Sequence, residues 1–436
     1  MNRLDIDAAK LALEPRRALP WQLSQVCGLL CLVALIPMLR YYYEHFRVVA
    51  WPLEVSGFPI GRDFVNLWSG GRAAWSGNYA ALFDAKAYAL DLQHLIHPTM
   101  VENGLVWSYP PTAFWLGLPF AKLSFSAALP LWYLAGFAAV LWVFRVDGTK
   151  PMPLWALPWL LLAPGVLMAL YFAQTALLTT ALFVGGLLLA RDRPYLAGAL
   201  LAGFVIKPHM GLVIPVVLLA MRQWRAFAAT AVFSVFYVLL TVLAFGIEPW
   251  DLYLNVTLPK HLGLLTPWGQ RLPWMFTAQY FQFLGAGFST EVAMRLHWLV
   301  AVFAVAALAF TLPRLRDQNL RILLAAATTL LISPYMQSYE LALPAIAGLR
   351  AAAYAPAGDD PDGSLRWGMV IVALMAPAVG LLTMLATGVN PVALLMLAIV
   401  VPALCSVWPE VAERQAWTTR LSRVLALRLR RSQRAI

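Results

Sequence analysis

Three residues of this chain are placed where a charge could do chemistry. Asp63 lies in the stretch FPIGRDFVNLWSGGRAAWSGNYAALFD, between Phe58 and Asp84, which follows the first hydrophobic segment and is itself too polar to cross a bilayer. A carboxylate there could act as a general base, a role worth about 10²–10⁴ in rate. It could equally cap a helix, since Asp is a preferred N-cap and Phe64-Val65-Asn66-Leu67-Trp68 follows it. Arg62, its neighbour, could keep it ionised. Lys207 interrupts an apolar run just before Pro208, and a charge at a helix centre costs about 2.5–3.5 kcal/mol. Such a lysine either snorkels to the interface or meets a phosphate or carboxylate. Glu340 ends the polar break Ser333-Pro334-Tyr335-Met336-Gln337-Ser338-Tyr339-Glu340 and opens an apolar segment. That position fits a helix N-terminus or a cation partner, with Lys207 or Arg271 as the cation.

The loop at 259–274 gathers Lys260, His261, Gln270 and Arg271 with Trp268 and Trp274. The mixture suits a phosphate and a polar ring, although an interfacial aromatic belt would place the same tryptophans. There is no His-Glu-x-x-His pair, nucleophile elbow, P-loop or Gly-rich dinucleotide fingerprint. His94 and His97 share a helical face but lack a third ligand, so they read as surface histidines. No catalytic metal and no cofactor are expected.

The elements that must position these residues are membrane helices. The chain is 61% hydrophobic and 12% charged, with a mean hydropathy of +0.71, more apolar than a soluble fold of 436 residues could cover. Spans need about 20 apolar residues, and they are expected near 23–46, 127–144, 153–170, 174–190, 195–221, 226–246, 292–312, 319–333, 338–355, 367–387 and 391–408. Lys207-Pro208 divides 195–221 into two shorter or broken helices, because proline removes a backbone donor and clashes with the preceding turn. An all-α polytopic domain over 23–408 with about twelve crossings follows. Its N-terminal tail is 1–22 and its basic tail is 409–436.

Positive charge is retained on the cytoplasmic side. Segments 1–22, 145–152, 191–194, 222–225, 313–321, 350–366 and 409–436 hold 22 of the 32 Lys and Arg residues, so both termini are expected to be cytoplasmic. No cleavable signal is evident, and 23–46 reads as an anchor. The net charge of +11 calls for no nucleic acid, since the tail from Arg420 to Arg434 suits an anionic lipid surface. Cys27, Cys31 and Cys405 fall in spans and read as buried thiols. Long outer loops are expected at 47–126 and 247–291. The first holds amphipathic stretches at 64–75 and 83–96 that could lie along the interface with Phe64, Leu67, Trp68 and Trp75 turned inward. After Trp107-Ser-Tyr-Pro-Pro-Thr, residues 112–123 are apolar but too short to span, so they read as re-entrant or interfacial.

The order of motifs resembles glycosyltransferase family 87, polytopic enzymes of the GT-C class that use polyprenyl-phosphate sugars, typically mannose. The resemblance runs from about Phe58 to Arg350. It rests on Asp63 with Gly70-Gly71-Arg72 and Gly77-Asn78-Tyr79, on Tyr109-Pro110-Pro111 with Leu116 and Pro119, and on Gln174. It continues through Ala197-Gly198, Lys207-Pro208, Arg222-Gln223-Trp224-Arg225-Ala226, Ser333-Pro334 and Tyr339-Glu340. Three positions depart from the family pattern: Ala173 stands where Gly is usual, Glu340 where Asp is usual, and Tyr335 where His commonly follows Ser-Pro.

The resemblance implies a GT-C-type fold in the plasma or inner membrane, with its site on the outer, periplasmic side. It implies Asp63 as the base of an inverting transfer that moves a hexose, typically mannose, from a polyprenyl-phosphate donor to a lipid or glycan acceptor. Lys207, Arg271 and His261 are then expected at the donor phosphate. Arg62, Asn66, Tyr109, Gln174, Gln270, Tyr335 and Glu340 are expected around the substrates. A transporter or flippase for lipid-linked saccharides is the alternative, since broken helices with a charged residue also mark substrate paths, although the C-terminal half holds no second copy of the 58–112 pattern. A non-catalytic scaffold is the third.

Overall fold

The computed structural model of the chain describes residues 18–101, 105–148, 151–263, 265, 277–356, 360 and 362–408. It is mostly helical. Among the described residues, four helices are long and apolar enough to cross a membrane: Phe125–Val143, Trp224–Phe245, Thr290–Thr311 and Gly363–Thr387. Shorter apolar helices, among them Ala176–Leu189, Gln318–Ile332 and Val392–Trp408, fall within the other segments that hydropathy marked. Hydropathy finds such segments because side chains facing lipid and side chains facing other helices are both apolar.

The run 195–221 is broken as its proline requires. Helix Pro194–Ala202 tightens into a 3-10 turn over Gly203–Ile206, Lys207 adopts φ −140° and ψ 72°, and the chain turns helical again from Pro208. A residue before proline is pushed out of the α region, so the break falls on the lysine itself.

Two apolar cores share the molecule. The larger joins the helices of the bundle and includes Phe172, Met336 and Tyr339. The smaller is built by the polar stretch and loop that follow the first apolar segment, with Phe64, Leu67, Trp68, Trp107, Tyr109 and Phe114, and it takes in Ala173 and Ile206 from the bundle. Its main helix is Arg62–Ser76, followed by Ala80–Phe83 and Ala85–Leu95. Residues 111–120 form short helical pieces, Pro111–Ala113, Phe114–Gly117 and Leu118–Phe120. Phe64, Leu67 and Trp68 are buried as the amphipathic pattern requires, but Trp75 is 60% exposed. Its ring instead carries Lys122, whose Nζ lies 4.1 Å from the centroid, a cation–π contact at the rim of the loop.

A hairpin, Val48–Ala50 with Leu53–Glu54, departs from the all-α expectation. Strands of three and two residues carry no readable alternation. The opposite end of the bundle is closed by buried arginines. Arg350 pairs with Asp147, and Arg366 pairs with Asp360 at 2.7 Å and Asp317 at 3.1 Å. These contacts bring the loops at 145–152, 313–321 and 350–366 to one end.

Glycine sets how closely the outer-loop helix approaches residues 114–120. A Cβ on Gly71 would stand 2.2 Å from the Gly117 carbonyl carbon and oxygen, and one on Gly117 would stand 1.8 Å from the Leu67 oxygen. Backbone lies against backbone there and cannot yield as a side chain would. Gly71→Ala is therefore expected to destabilise the protein by about 3 kcal/mol, the upper end of ordinary overpacking. A melting curve of the purified variant in detergent checks this, and an unchanged midpoint would contradict the close approach.

Candidate functional site

Asp63 sits at the seam of the two cores. It is not a helix cap: Gly61 holds the N-cap position at φ 69°, and no side chain caps that end. Asp63 lies in the first turn. Its backbone N–H donates to the Phe172 carbonyl at 3.1 Å, and its Oδ2 accepts from Gln174 Nε2 at 2.9 Å. Two tight turns are thereby joined. A Cβ on Gly61 would lie 2.9 Å from the Ala173 Cβ, so glycine is required on one side of the contact. Ala173 has φ 49°, a left-handed conformation that costs an L-residue about 1–2 kcal/mol. The glycine usual at that position in the resemblance would adopt it freely. Trp132 Nε1 holds the turn by donating to the Ala173 carbonyl at 2.9 Å.

The orientation of Gln174 is determined by what its oxygen accepts. Oε1 takes the Thr175 backbone N–H at 2.7 Å, the Tyr109 hydroxyl at 2.7 Å and the Thr175 hydroxyl at 2.9 Å. An N–H can only donate, so the amide nitrogen must face Asp63. Oδ2 of Asp63 is then an acceptor from nitrogen, and Oδ1 is the oxygen left to take a proton.

Across the seam, Lys207 Nζ donates to Glu340 Oε1 at 2.8 Å, with both side chains almost fully buried. The snorkelling alternative is thereby settled against, and of the two cations considered for Glu340 it is Lys207 that pairs with it. The ammonium also lies 5.0 Å from the Tyr339 ring and 6.0 Å from the Tyr109 ring. Glu340 Oε2 has no hydrogen-bond partner. The break preceding it keeps Ser333 Oγ donating to the Tyr335 carbonyl and the Gln337 amide donating to the Tyr335 hydroxyl.

Arg62 is held elsewhere than on its neighbour. It pairs with Glu54, a buried acid of the hairpin, and its guanidinium lies among the rings of Phe58, Phe46 and Phe172 at 4.6, 5.5 and 5.6 Å. Among the described residues Asp63 makes no ion pair of its own. Burial pushes its carboxyl up from 3.8 to about 6, against the opposing pull of Lys207, Arg62 and the Gln174 hydrogen bond and with added repulsion from Glu340.

His261, on helix Leu258–Gly263, stacks on Tyr335 with centroids 5.9 Å apart and rings 18° from parallel. Burial lowers its proton affinity, so near neutral pH it offers an uncharged imidazole. Asn66 accepts from the Tyr88 hydroxyl at 2.8 Å inside the outer-loop core. Gln270 and Arg271 lie outside the described residues. Two residues of the site escaped sequence reasoning. His209 stands edge-on to the same Tyr335, at 5.9 Å and 88°, two residues beyond Lys207. A lone histidine in an apolar run reads as packing, and only its closeness to the break at Lys207 marks it. Glu54 lies in a stretch with no pattern around it.

A helical membrane domain that keeps a carboxylate, without an ion-pair partner among the described residues, beside a buried lysine–glutamate pair has the makings of a membrane-embedded site. The chain belongs to glycosyltransferase family 87, whose family model matches residues 107–334. No curated protein and no solved structure matches it. The matched range contains Tyr109, Gln174 and Lys207 but begins after Asp63, which is joined to Gln174, and through it to Tyr109, by hydrogen bonds.

A carboxyl whose folded value lies above its unfolded one binds its proton more tightly in the native state. Its contribution to stability therefore falls as pH rises from about 4 to about 6 and stays low above that. Removing the charge removes the penalty. Asp63→Asn is expected to be more stable than the parent above pH 6, by on the order of 3 kcal/mol, with the difference vanishing below pH 4. Melting curves across that pH range check the sign; a variant less stable at pH 7 would contradict it.

Proposed function

We propose that this glycosyltransferase is an inverting enzyme that transfers a hexose, in the first instance mannose, from a polyprenyl-phosphate donor to a lipid or glycan acceptor. The reaction takes place on the outer face of the plasma or inner membrane, with both chain termini on the cytoplasmic side. A GT-C-type arrangement of about twelve crossings accommodates this reading. The observation that carries the mechanism is Asp63: a carboxylate with one oxygen held by Gln174, the other without a hydrogen bond to any described residue, and a proton affinity raised toward neutrality.

In the reaction, Asp63 Oδ1 takes the proton of the acceptor hydroxyl as that oxygen attacks the anomeric carbon. The bond to the lipid phosphate breaks on the opposite face, and the phosphate leaves with the electron pair. A phosphate monoester anion is a good leaving group, so a single carboxylate suffices and no general acid is required. Lys207 is the group to stabilise the departing charge. Its ammonium has three N–H donors, and Glu340 takes one of them. The remaining donors can meet a phosphate oxygen in a site of low dielectric, where such contacts are strongest. His209 and His261, both against Tyr335, supply neutral donors near the place where the family commonly has a histidine. Arg271 adds a second cation in this reading, and Gln270 a polar contact.

Purified protein incubated with a radiolabelled polyprenyl-phosphate mannose and extracted lipid acceptors tests the proposal. Label is expected in a new glycolipid with the parent chain. Asp63→Asn is expected to lose at least about 10²-fold in turnover, the contribution of a general base, while still inserting and folding. Lys207→Met is expected to weaken turnover comparably. Normal turnover by Asp63→Asn would sink the assignment, and label that only changes leaflet would favour a transporter.

A further inference from the structure

We propose that Glu54 is a positioning residue of this site, tying together the two segments that present Asp63 and Gln174 and leaving Asp63 as the acid without a cation of its own. The inference rests on the transfer reading above for its role in catalysis, but its structural content stands apart from it.

Glu54 is 1% exposed, and two of the three side chains that donate to its carboxylate belong to the segments that present Asp63 and Gln174. Oε1 accepts from Arg62, the residue before Asp63, and from Ser56 Oγ at 2.7 Å. Oε2 accepts from the Tyr171 hydroxyl, three residues before Gln174. Tyr171 is held in turn by Tyr42, stacked at 5.3 Å. One carboxylate thus bridges the turn at 61–63 and the turn at 171–174, the same two turns that the Asp63–Gln174 bond joins. Its second effect is electrostatic. The groups facing Asp63 are Arg62 on its own helix, Lys207 at the helix break, Tyr171 and Tyr109, and Tyr335, Tyr339 and Glu340 from the break at 333–340. Two of these are cations. Glu340 pairs with one and Glu54 with the other, so the pull that both cations still exert on Asp63 is opposed by a carboxylate on each. Without Glu54, the guanidinium beside Asp63 would stand uncompensated, and an opposite charge within about 4–6 Å makes a carboxylate a weaker base.

The test follows the protonated carboxyl stretch of Asp63 by infrared difference spectroscopy on the full chain in detergent, assigned as the band missing from Asp63→Asn. Glu54→Gln is expected to move the titration midpoint down by about 1 unit. Arg62→Gln is expected to move it up, and the double variant is expected to return it to the parent value. A midpoint unmoved by Glu54→Gln, or a double variant that tracks Arg62→Gln, overturns the proposal. Glu54→Gln leaves a buried guanidinium unpaired and can fail to fold. The comparison then runs between Arg62→Gln and the double variant, where a lower midpoint in the double supports the role and equal midpoints overturn it. In the sugar-transfer assay, Glu54→Gln is expected to shift the acid limb of the rate profile to lower pH and reduce kcat with KM little changed. If the parent transfers no sugar, the transfer reading fails, and the spectroscopic midpoints still decide the role of Glu54.

Discussion

The site depends on how charge is balanced where water is scarce. Among the described residues, five carboxyl, ammonium and guanidinium groups meet at the seam between the bundle and the loop that carries Asp63: Glu54, Arg62, Asp63, Lys207 and Glu340. Two pairs form, Arg62 with Glu54 and Lys207 with Glu340, and one carboxylate is left over. Breaking a buried pair by removing one partner is far more damaging than exchanging the pair for apolar groups. Each cation is therefore bound to its own acid, and neither is released to neutralise Asp63. Burial then raises the proton affinity of Asp63 toward neutrality. Its burial weakens the fold, as is usual where a functional group is kept in an environment that disfavours its charge.

The backbone serves this arrangement. Asp63 and Gln174 meet because Gly61 and Ala173 both adopt left-handed turns packed too closely to leave room for a Cβ on Gly61, and because an N–H from the Asp63 turn reaches the Phe172 carbonyl. Lys207 reaches Glu340 because Pro208 stops the helix at the lysine and frees it from the regular spiral. The loop that carries Asp63 is held to the same region by Tyr109 on Gln174 and by Thr112 Oγ1, which donates to the Val205 carbonyl at 2.9 Å. A loop otherwise packed on its own aromatic core is thereby joined to the bundle at the point where chemistry is expected.

Much of this could be read from the chain. The apolar runs announced the helices, the proline announced the break, and an isolated lysine in hydrocarbon announced the need for a partner, which Glu340 supplies. The polarity of the stretch around Asp63 separated it from the spans. Trp75 was misjudged because an amphipathic pattern gives the width of an apolar face only roughly, and a tryptophan at its edge can equally lie in the interface. Glu54 and His209 were invisible for a different reason. Neither belongs to a periodic pattern, and their partners lie far away in sequence: Tyr171 is 117 residues from Glu54.

The sequence by itself determined the membrane class of the protein, the positions of its apolar segments, the break at Lys207 and a short roster of residues with uncommon polarity. These follow from local composition, because hydrocarbon imposes the same demand on every segment that enters it. Which acid answers which cation was decided only by the tertiary structure. Pairing is a matter of distance and orientation between segments more than a hundred residues apart, and burial strengthens it without leaving a mark on local composition. The chain could name Asp63 as a carboxylate near a membrane. Only the fold, by assigning Glu54 to Arg62 and Glu340 to Lys207, left it the one of these three acids without a partner of opposite charge among the described residues.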